Sequence, residues 1–588
     1  SMFEKSFAID FRLAPDSLTL SETLSNLADM AAMTGDRESA KASYLKALAI
    51  QEKATPDGLE PALTLANLGQ LHLDMGDLEA ADGYLNRSLK VRQTLSPGGL
   101  QVAGSLHSLG RLAVARQNPA AAEIHFKESL ALWRANAPGS DGHAMAAHTL
   151  GMLLVARDHK PEAVALLQEA VDALENQVER LGGSQEIRDS FAASRHDYYF
   201  DLMSLLTELG QKEQAFGVFE RSRARSLRQL LAQRDLVFTA DIPEELDRER
   251  RSLALRYDDT MDTLGEIKEA AEPEKFAALQ KQLKDIRARL DAVRAGIAQA
   301  SPRFAALAWP QALDLPGALA VLPKDTAALA FAVGEANTLL FVLGPDVGAF
   351  RALSLPVGRT ALSRDVSRLR SALMERLAAG PFLDSLAEIL LTPAAAELHA
   401  SQHVLILPDG PLHFLPWSAF RSVPVAGAEA VVLPPVHSAP SMTVYRDSVA
   451  DKTGGGAARR IEAFGDPAYQ TVSVNPASGA SASRSVGMDR SVLTPLPGTR
   501  RELKGISALF TGSIQLHLGA AASESQVKTL PPETNVVHIA VHGFVDADHP
   551  LDSALAFSTP ARSASRPAHG AADGQDGASS ENGFLQVW

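Results

Sequence analysis

A histidine followed by glycine at the end of an apolar run is the clearest chemical signal in this sequence, where residues 535–557 read NVVHIAVHGFVDADHPLDSALAF. Residues 536–541 are nearly all apolar and mostly β-branched, the pattern of a strand buried on both faces inside a parallel sheet. Alternation along a strand puts His538, Ala540 and His542 on one face, and only His542 stands where the strand is expected to give way to a flexible turn. Reactive groups in open α/β sheets collect beyond the carboxyl ends of the strands. His542 is therefore the best-placed general base, a group able to take a proton from a nucleophile and return it to a leaving amine. No cysteine accompanies it anywhere in the 588 residues. That excludes disulfides and thiolate zinc sites. The 16 histidines are scattered without ligand spacing, so neither a metal nor a cofactor is expected.

The elements that must position His542 read as α/β from about residue 310 onward. Two strand-like runs, 327–333 and 338–343, are joined by Gly334-Glu335-Ala336-Asn337, a hairpin signal. Helices are expected over 362–379 and 383–401, then a buried strand over 403–407 ending in Pro408-Asp409-Gly410. Strands follow over 431–433 and 461–464, the latter closing with Gly465-Asp466-Pro467. Thr499 with Glu502, and Ser523 with Gln526, have the spacing of capping boxes that start two helices. Strand 514–518, helix, strand 536–541 is a βαβ unit, which implies parallel pairing. Residues 472–491 and 559–581 are rich in Ser, Ala and Gly. Both are expected to be surface loops too poor in apolar surface to offset the entropy of ordering.

Pro408-Asp409-Gly410-Pro411-Leu412-His413-Phe414-Leu415-Pro416-Trp417, the strand closing on His542-Gly543, and the acidic loop with Asp552-Ser553 together resemble the CHAT domain, a branch of the caspase-like cysteine peptidases. The resemblance spans about residues 310–588. It implies that His542 activates a Cys at the end of the next strand and that the backbone N–H of Gly543 helps form an oxyanion hole. Asn582-Gly583-Phe584-Leu585-Gln586-Val587-Trp588 matches only the beginning of the segment that leads to that Cys. The expectation is a chain that stops short of the nucleophile's strand and is inactive by itself. The loop 559–581 lies where many caspase-like enzymes are cut during activation, so self-cleavage there is expected of the active protein. Asp409 stands at the same sheet edge and has two readings, the acidic floor of a pocket for a basic substrate residue or simply a turn. Asp546, Asp548 and Asp552 are rival acidic contributors beside the His.

Residues 20–180 repeat. Leu68-Gly69, Leu109-Gly110 and Leu150-Gly151 recur every 41 residues, as do Ala40, Ala81, Ala122 and Ala163, then Tyr44, Leu85, Phe126 and Leu167. Each unit is an apolar helix, a polar break such as Thr34-Gly35-Asp36, and a second helix opening around the small Ala, which permits close antiparallel approach. This resembles the tetratricopeptide repeat in a long form, and implies a solenoid whose groove takes a protein or peptide partner. Asn26 with Asn67, and His107 with His148, are the polar candidates for that groove. Residues 205–219 resemble a degenerate further repeat. The helix containing Glu220, Arg221, Arg223 and Leu227 is similar to the one that links repeats to CHAT domains, and its run of arginines, with Arg225 and Arg228, reads as a solvated or salt-bridged face. A long helical hairpin broken near Glu272-Pro273 fills residues 243–300.

The expected order is an N-terminal segment (1–19), an all-α repeat solenoid (20–235), a helical hairpin or linker (236–305) and an α/β caspase-like domain (306–588). That last part is expected to be three-layered around a mostly parallel sheet. A net charge of −14 disfavours nucleic acid, and no run of eighteen apolar residues offers a membrane span. The first ten residues, SMFEKSFAID, are unlike a signal peptide, which points to the cytoplasm. Two functions from different classes remain at this stage. One is a cysteine endopeptidase gated by its repeats and acting on a protein substrate or on itself. The other is a non-catalytic scaffold with a degenerate caspase-like domain.

Overall fold

In the computed structural model the 41-residue interval is a pairing of helices. The pairs are α1 (Leu18–Met33) with α2 (Arg37–Ala54), α3 (Leu59–Asp74) with α4 (Leu78–Leu95), α5 (Leu100–Ala115) with α6 (Pro119–Asn136), and α7 (Asp141–Ala156) with α8 (Lys160–Val178). The structure describes residues 14, 17–178, 196–232, 242–266, 272–301, 312–344, 350–424, 430–450, 460–469, 493–510, 513–531, 533–544, 554–558 and 584–586. Each connection inside a pair needs one residue in the left-handed region, filled by Gly35 (φ 83°), Gly76 (φ 80°), Gln117 (φ 57°) and Asp158 (φ 62°). The next helix is then capped: Asp36, Asp77 and Asn118 accept from the N–H groups of Ser39, Ala80 and Ala121.

The recurrent glycine of the first helix is a packing requirement. A Cβ built on Gly110 would lie 2.4 Å from the buried ring of Phe126 on α6, whereas Gly104 on the same helix meets nothing within 4 Å. Gly110→Ala should lower the unfolding free energy by about 1–3 kcal/mol, the cost of overpacking a filled core. Gly104→Ala should raise it by up to about 1 kcal/mol through helix propensity. Thermal or denaturant melts of the two variants should move in opposite directions.

A fifth pair, α9 (His196–Glu208) and α10 (Lys212–Ala232), continues the solenoid. The hairpin follows as α11 (Glu244–Glu266) and α12 (Pro273–Ala300), with Pro273 in the first turn of the second helix and a small core of its own around Tyr257, Leu283, Ile286 and Ile297.

After the short α13 (Leu315–Val321) come β1 (Thr326–Val333), β2 (Thr338–Leu343) and β3 (Phe350–Leu355), an antiparallel meander. Next are α14 (Arg359–Met374) and α15 (Gly380–Leu390). The helix expected over 383–401 is interrupted: α15 ends at Leu390, a 3₁₀ turn spans Thr392–Ala394, and α16 covers Ala395–His399. Pro393 supplies no amide for a continuing ladder. β4 (His403–Leu407) adds parallel to β1, a two-stranded ribbon forms from β5 (Ser422–Val423) and β6 (Val431–Val432), and β7 (Val436–Ser438) adds parallel to β4. The sheet order is β3-β2-β1-β4-β7, a mixed sheet. Its second face packs Leu329, Phe331, Leu340 and Ile406 against Leu362, Leu369, Leu386 and Leu390 of α14 and α15. The first face carries Ala328, Ala330, Phe341 and Leu405 in one continuous core with Phe216 and Phe219 of α10 and the helices before it. The repeats are thus fused by burial to this sheet.

The chain packs as two compact units, Ser1–Asp447 and Ser448–Trp588, so the stretch expected as one α/β domain divides near the end of α17 (Met442–Ala450). In the second unit β8 (Arg460–Pro467), β9 (Ser513–Gly519) and β10 (Thr534–Ala540) form a parallel sheet of order β10-β8-β9. Leu503 of α18 (Pro497–Leu509) packs on Ile461 and Ala463. α19 (Glu524–Lys528) is capped by Ser523 as expected. Thr499 is not the cap of α18: its hydroxyl donates to the Leu496 carbonyl and accepts from the Asp466 N–H. Pro497 takes the first helical position instead, and Glu502 faces His538 at 3.2 Å.

Candidate functional site

Among the described residues the strand that delivers His542 is an edge strand. β10 pairs with β8 and with no other described strand, and Val536 and Val537 are 44% and 42% exposed, so burial on both faces, expected from their apolar character, does not occur. β-branched character reports fit to a pleated, half-buried surface and does not by itself tell an edge strand from a central one. Nor does the chain enter a turn at His542. After Val541 it begins β11 (His542–Phe544), which pairs antiparallel with β12 (Ala554–Ala556), itself paired with β13 (Phe584–Gln586). His542 still lies beyond the carboxyl end of a parallel strand; at the same ends of the neighbouring strands, Asp466, the next-to-last residue of β8, and Gly519, the last of β9, take left-handed conformations (φ 47° and 59°).

The imidazole is half-buried and held by its far nitrogen: Nε2 lies 2.8 Å from the carbonyl oxygen of Thr494. A carbonyl only accepts, so Nε2 carries the hydrogen and neutral His542 presents Nδ1 as its basic nitrogen. Among the described residues Nδ1 meets no hydrogen-bond partner. The His542 main chain is fixed separately, its N–H donating to the Tyr469 hydroxyl at 3.3 Å. A Cβ on Gly543 would come no closer than 3.7 Å to Leu555, an ordinary contact.

Asp409 belongs to a different constellation, in the first unit. It is 5% exposed, and both oxygens are engaged: Oδ1 lies 3.0 Å from Nη1 of Arg223, while Oδ2 accepts the Val333 N–H at 2.6 Å and lies 3.7 Å from His196 Nε2. Burial acts to raise its pKa, but Arg223 and His196 outweigh burial and hold the carboxyl below the usual aspartate range. Arg223 also donates to the Phe331 carbonyl at 2.9 Å. One turn earlier on α10, the fully buried Glu220 accepts the N–H groups of Met442 and Thr443 and the Thr443 hydroxyl, capping α17; burial raises its pKa. Arg221 faces the other way, onto Glu175 and Asp172 of α8.

A family profile of the CHAT domain matches residues 380–582, and one of the tetratricopeptide repeat matches residues 19–94 and 101–176. The chain is a tetratricopeptide-repeat protein with a CHAT domain. The CHAT domain implies the caspase-like peptidase family, and tetratricopeptide repeats mediate protein–protein interaction. No curated protein sequence matches the chain. Among solved structures it is similar to BtubC (BKLC) from P. vanneervenii, at 19% identity over 37% of this chain and 85% of that one with a TM-score of 0.32. It is also similar to a putative kinesin light chain from Podosopora anserina with nearly identical repeats, at 20% identity over 34% of this chain and 92% of that one with a TM-score of 0.28.

Asp552, Asp546 and Asp548, the loop 472–491, the loop 559–581 and the side chains of Arg225 and Arg228 lie outside the described residues. In this arrangement Asp409 presents no open carboxylate to a basic substrate residue, because Arg223 already neutralises it. Thr494 and Tyr469 were not signalled by the sequence, since one contributes a main-chain carbonyl and the other a contact across the fold.

The polar candidates for the repeat groove are mostly contacts between helices. His148 Nε2 lies 2.8 Å from Asp201 Oδ2 and stacks on Tyr198 at 4.0 Å. Asn67 meets the Tyr44 hydroxyl, and Asn26 is half-buried. His107 is 7% exposed beside Phe126, and burial, helped by nearby Arg111, lowers its pKa to about 4. Its folded-state pKa is thus depressed below the value of about 6.5 expected unfolded. Stability contributed by keeping it neutral is present above pH 6.5 and lost as pH falls toward 4, up to about 3 kcal/mol in all. Denaturant titrations of wild type and His107→Leu across pH 4–7 should show a shallower decline in the variant.

Proposed function

We propose that this CHAT domain works as a caspase-like cysteine endopeptidase whose base is His542 and whose access or activity is set by the repeats. The observation that supports this most is the orientation of His542 at the carboxyl end of β10, with Nε2 spent on Thr494 and Nδ1 turned to no described partner. In the reaction, Nδ1 takes the proton of a thiol, the thiolate attacks the scissile carbonyl, and the imidazolium returns the proton to the departing amine; water then releases the acyl group. The Gly543 N–H would meet the oxyanion, a contact worth about 3 kcal/mol per donor in hydrolases. None of the 588 residues supplies the thiol.

A protein or peptide partner in the repeat groove fits the reading, as does a cytoplasmic location; no described helix is long and apolar enough to cross a membrane. An acidic pocket, if the substrate is basic, falls to Asp546, Asp548 or Asp552 rather than to Asp409, whose carboxylate is paired with Arg223. The absence of cysteine favours a second reading, a scaffold whose caspase-like domain binds without cutting. The deciding experiment assays residues 1–588, beside whatever product the complete gene encodes, on a peptide library. Residues 1–588 should show no turnover and the complete product should cleave. Turnover by the cysteine-free chain would overturn the thiol mechanism, and an inactive complete product would leave the scaffold.

A further inference from the structure

We propose that Tyr469 is the positioning residue of His542, its hydroxyl wedged between β11 and β12 so that the His542 main chain is pinned while Thr494 pins the ring. The inference rests on the reading of His542 as a base. His542 and Ala556 face one another across the β11–β12 ladder. The Tyr469 hydroxyl bridges them, accepting the His542 N–H at 3.3 Å and donating to the Ala556 carbonyl at 3.0 Å. One hydroxyl thus satisfies a donor on the histidine strand and an acceptor on its neighbour. The phenol ring stands 5.4 Å from the imidazole at 40°, limiting how that ring can swing.

Tyr469 is itself anchored. The preceding N–H, of Ala468, donates to Ser558 Oγ at 2.9 Å, and Ser558 Oγ donates to the Gly519 carbonyl at 2.6 Å. Ser558 lies two residues past Ala556, so the wedge and its anchor grip the same short segment from the ends of β8 and β9. Burial raises the Tyr469 pKa, so the phenol keeps the proton it donates. Holding the peptide at one end and the ring at the other fixes both side-chain torsions of His542. This is the condition under which an imidazole offers one defined nitrogen rather than a mixture of tautomers.

Tyr469→Phe keeps the ring and deletes only the hydroxyl, which makes it the informative variant. With histidine-selective ¹⁵N labelling of residues 1–588, assigned by the loss of one pair of signals in His542→Gln, the wild type should show His542 as the Nε2–H tautomer. In Tyr469→Phe the two nitrogen shifts should converge as tautomers mix, and exchange of the His542 amide should quicken roughly tenfold, with little change in melting temperature. Substituting 4-aminophenylalanine, which can also donate and accept, should restore the wild-type shifts. Unchanged His542 shifts in Tyr469→Phe, or shifts that change only together with global unfolding, would overturn the proposal. Because the readout needs no turnover, it can fail while the peptidase reading stands, and the peptidase reading can fail on the complete gene product while the spectra still show the wedge.

Discussion

Replacing Arg223 with methionine should lower the unfolding free energy of the first unit by roughly 3–5 kcal/mol, the usual result of removing one partner from a buried ion pair. The loss follows from what Asp409 is left with. Its carboxylate is 5% exposed and, without the guanidinium at 3.0 Å, keeps only the Val333 N–H and a histidine at 3.7 Å. The Phe331 carbonyl loses its donor as well, a further cost for a buried acceptor. The double variant Arg223→Met/Asp409→Asn should recover most of the stability, because no buried charge then stands alone. The pH dependence separates charge from packing. Arg223 holds the Asp409 pKa below its unfolded value, so the stability this pair contributes is present above about pH 4 and lost as pH falls through the folded pKa. The gap between wild type and Arg223→Met, measured by guanidinium titration, should be widest above about pH 4 and narrow as the pH falls below it. A gap constant with pH would mean that the arginine acts by packing alone.

That ion pair also marks what the sequence could and could not reveal. The repeats were legible because each recurring residue makes a recurring contact: Gly69 meets Leu85, Gly110 meets Phe126 and Gly151 meets Leu167, always in the same register. The same economy made β1, β2, β4 and the long hairpin readable, since their periodicity comes from burial of one face or both. The Glu220, Arg221 and Arg223 run was legible only as a charged helix. Its three side chains go to three places, the first turn of α17, the acidic face of α8, and Asp409 at 186 residues' remove. No local pattern encodes a contact at that separation. β10 misled for a related reason, because an apolar strand announces that it pairs and says nothing of whether a neighbour covers both edges. At the candidate site His542 was readable as a residue type at a strand end, whereas Thr494 was invisible, its contribution being a peptide oxygen that every residue possesses.

On the proposed mechanism, His542→Ala in a product of the gene that carries the thiol should reduce kcat/KM by roughly 10³-fold or more, with KM nearly unchanged, since a general base acts on the chemical step and also raises the thiolate fraction of its partner. Gly543→Ala should lose no more than a few-fold. Gly543 is not in a left-handed conformation, the added methyl would meet only Leu555 at 3.7 Å, and the proposed contribution is a main-chain N–H that alanine retains. The contrast tests the two roles separately, because a site that merely required small residues at 542 and 543 would tolerate the first change and resist the second. The alanine at 542 also vacates the Thr494 carbonyl, so the fold of both variants is to be checked by circular dichroism before rates are compared. A loss of less than tenfold in a folded His542→Ala protein would remove the imidazole from the mechanism. The parallel sheet's rim would then be left without a base among its described residues other than His517, whose Nε2 is already spent on Glu462 at 2.6 Å, and His538, which faces Glu502 at 3.2 Å.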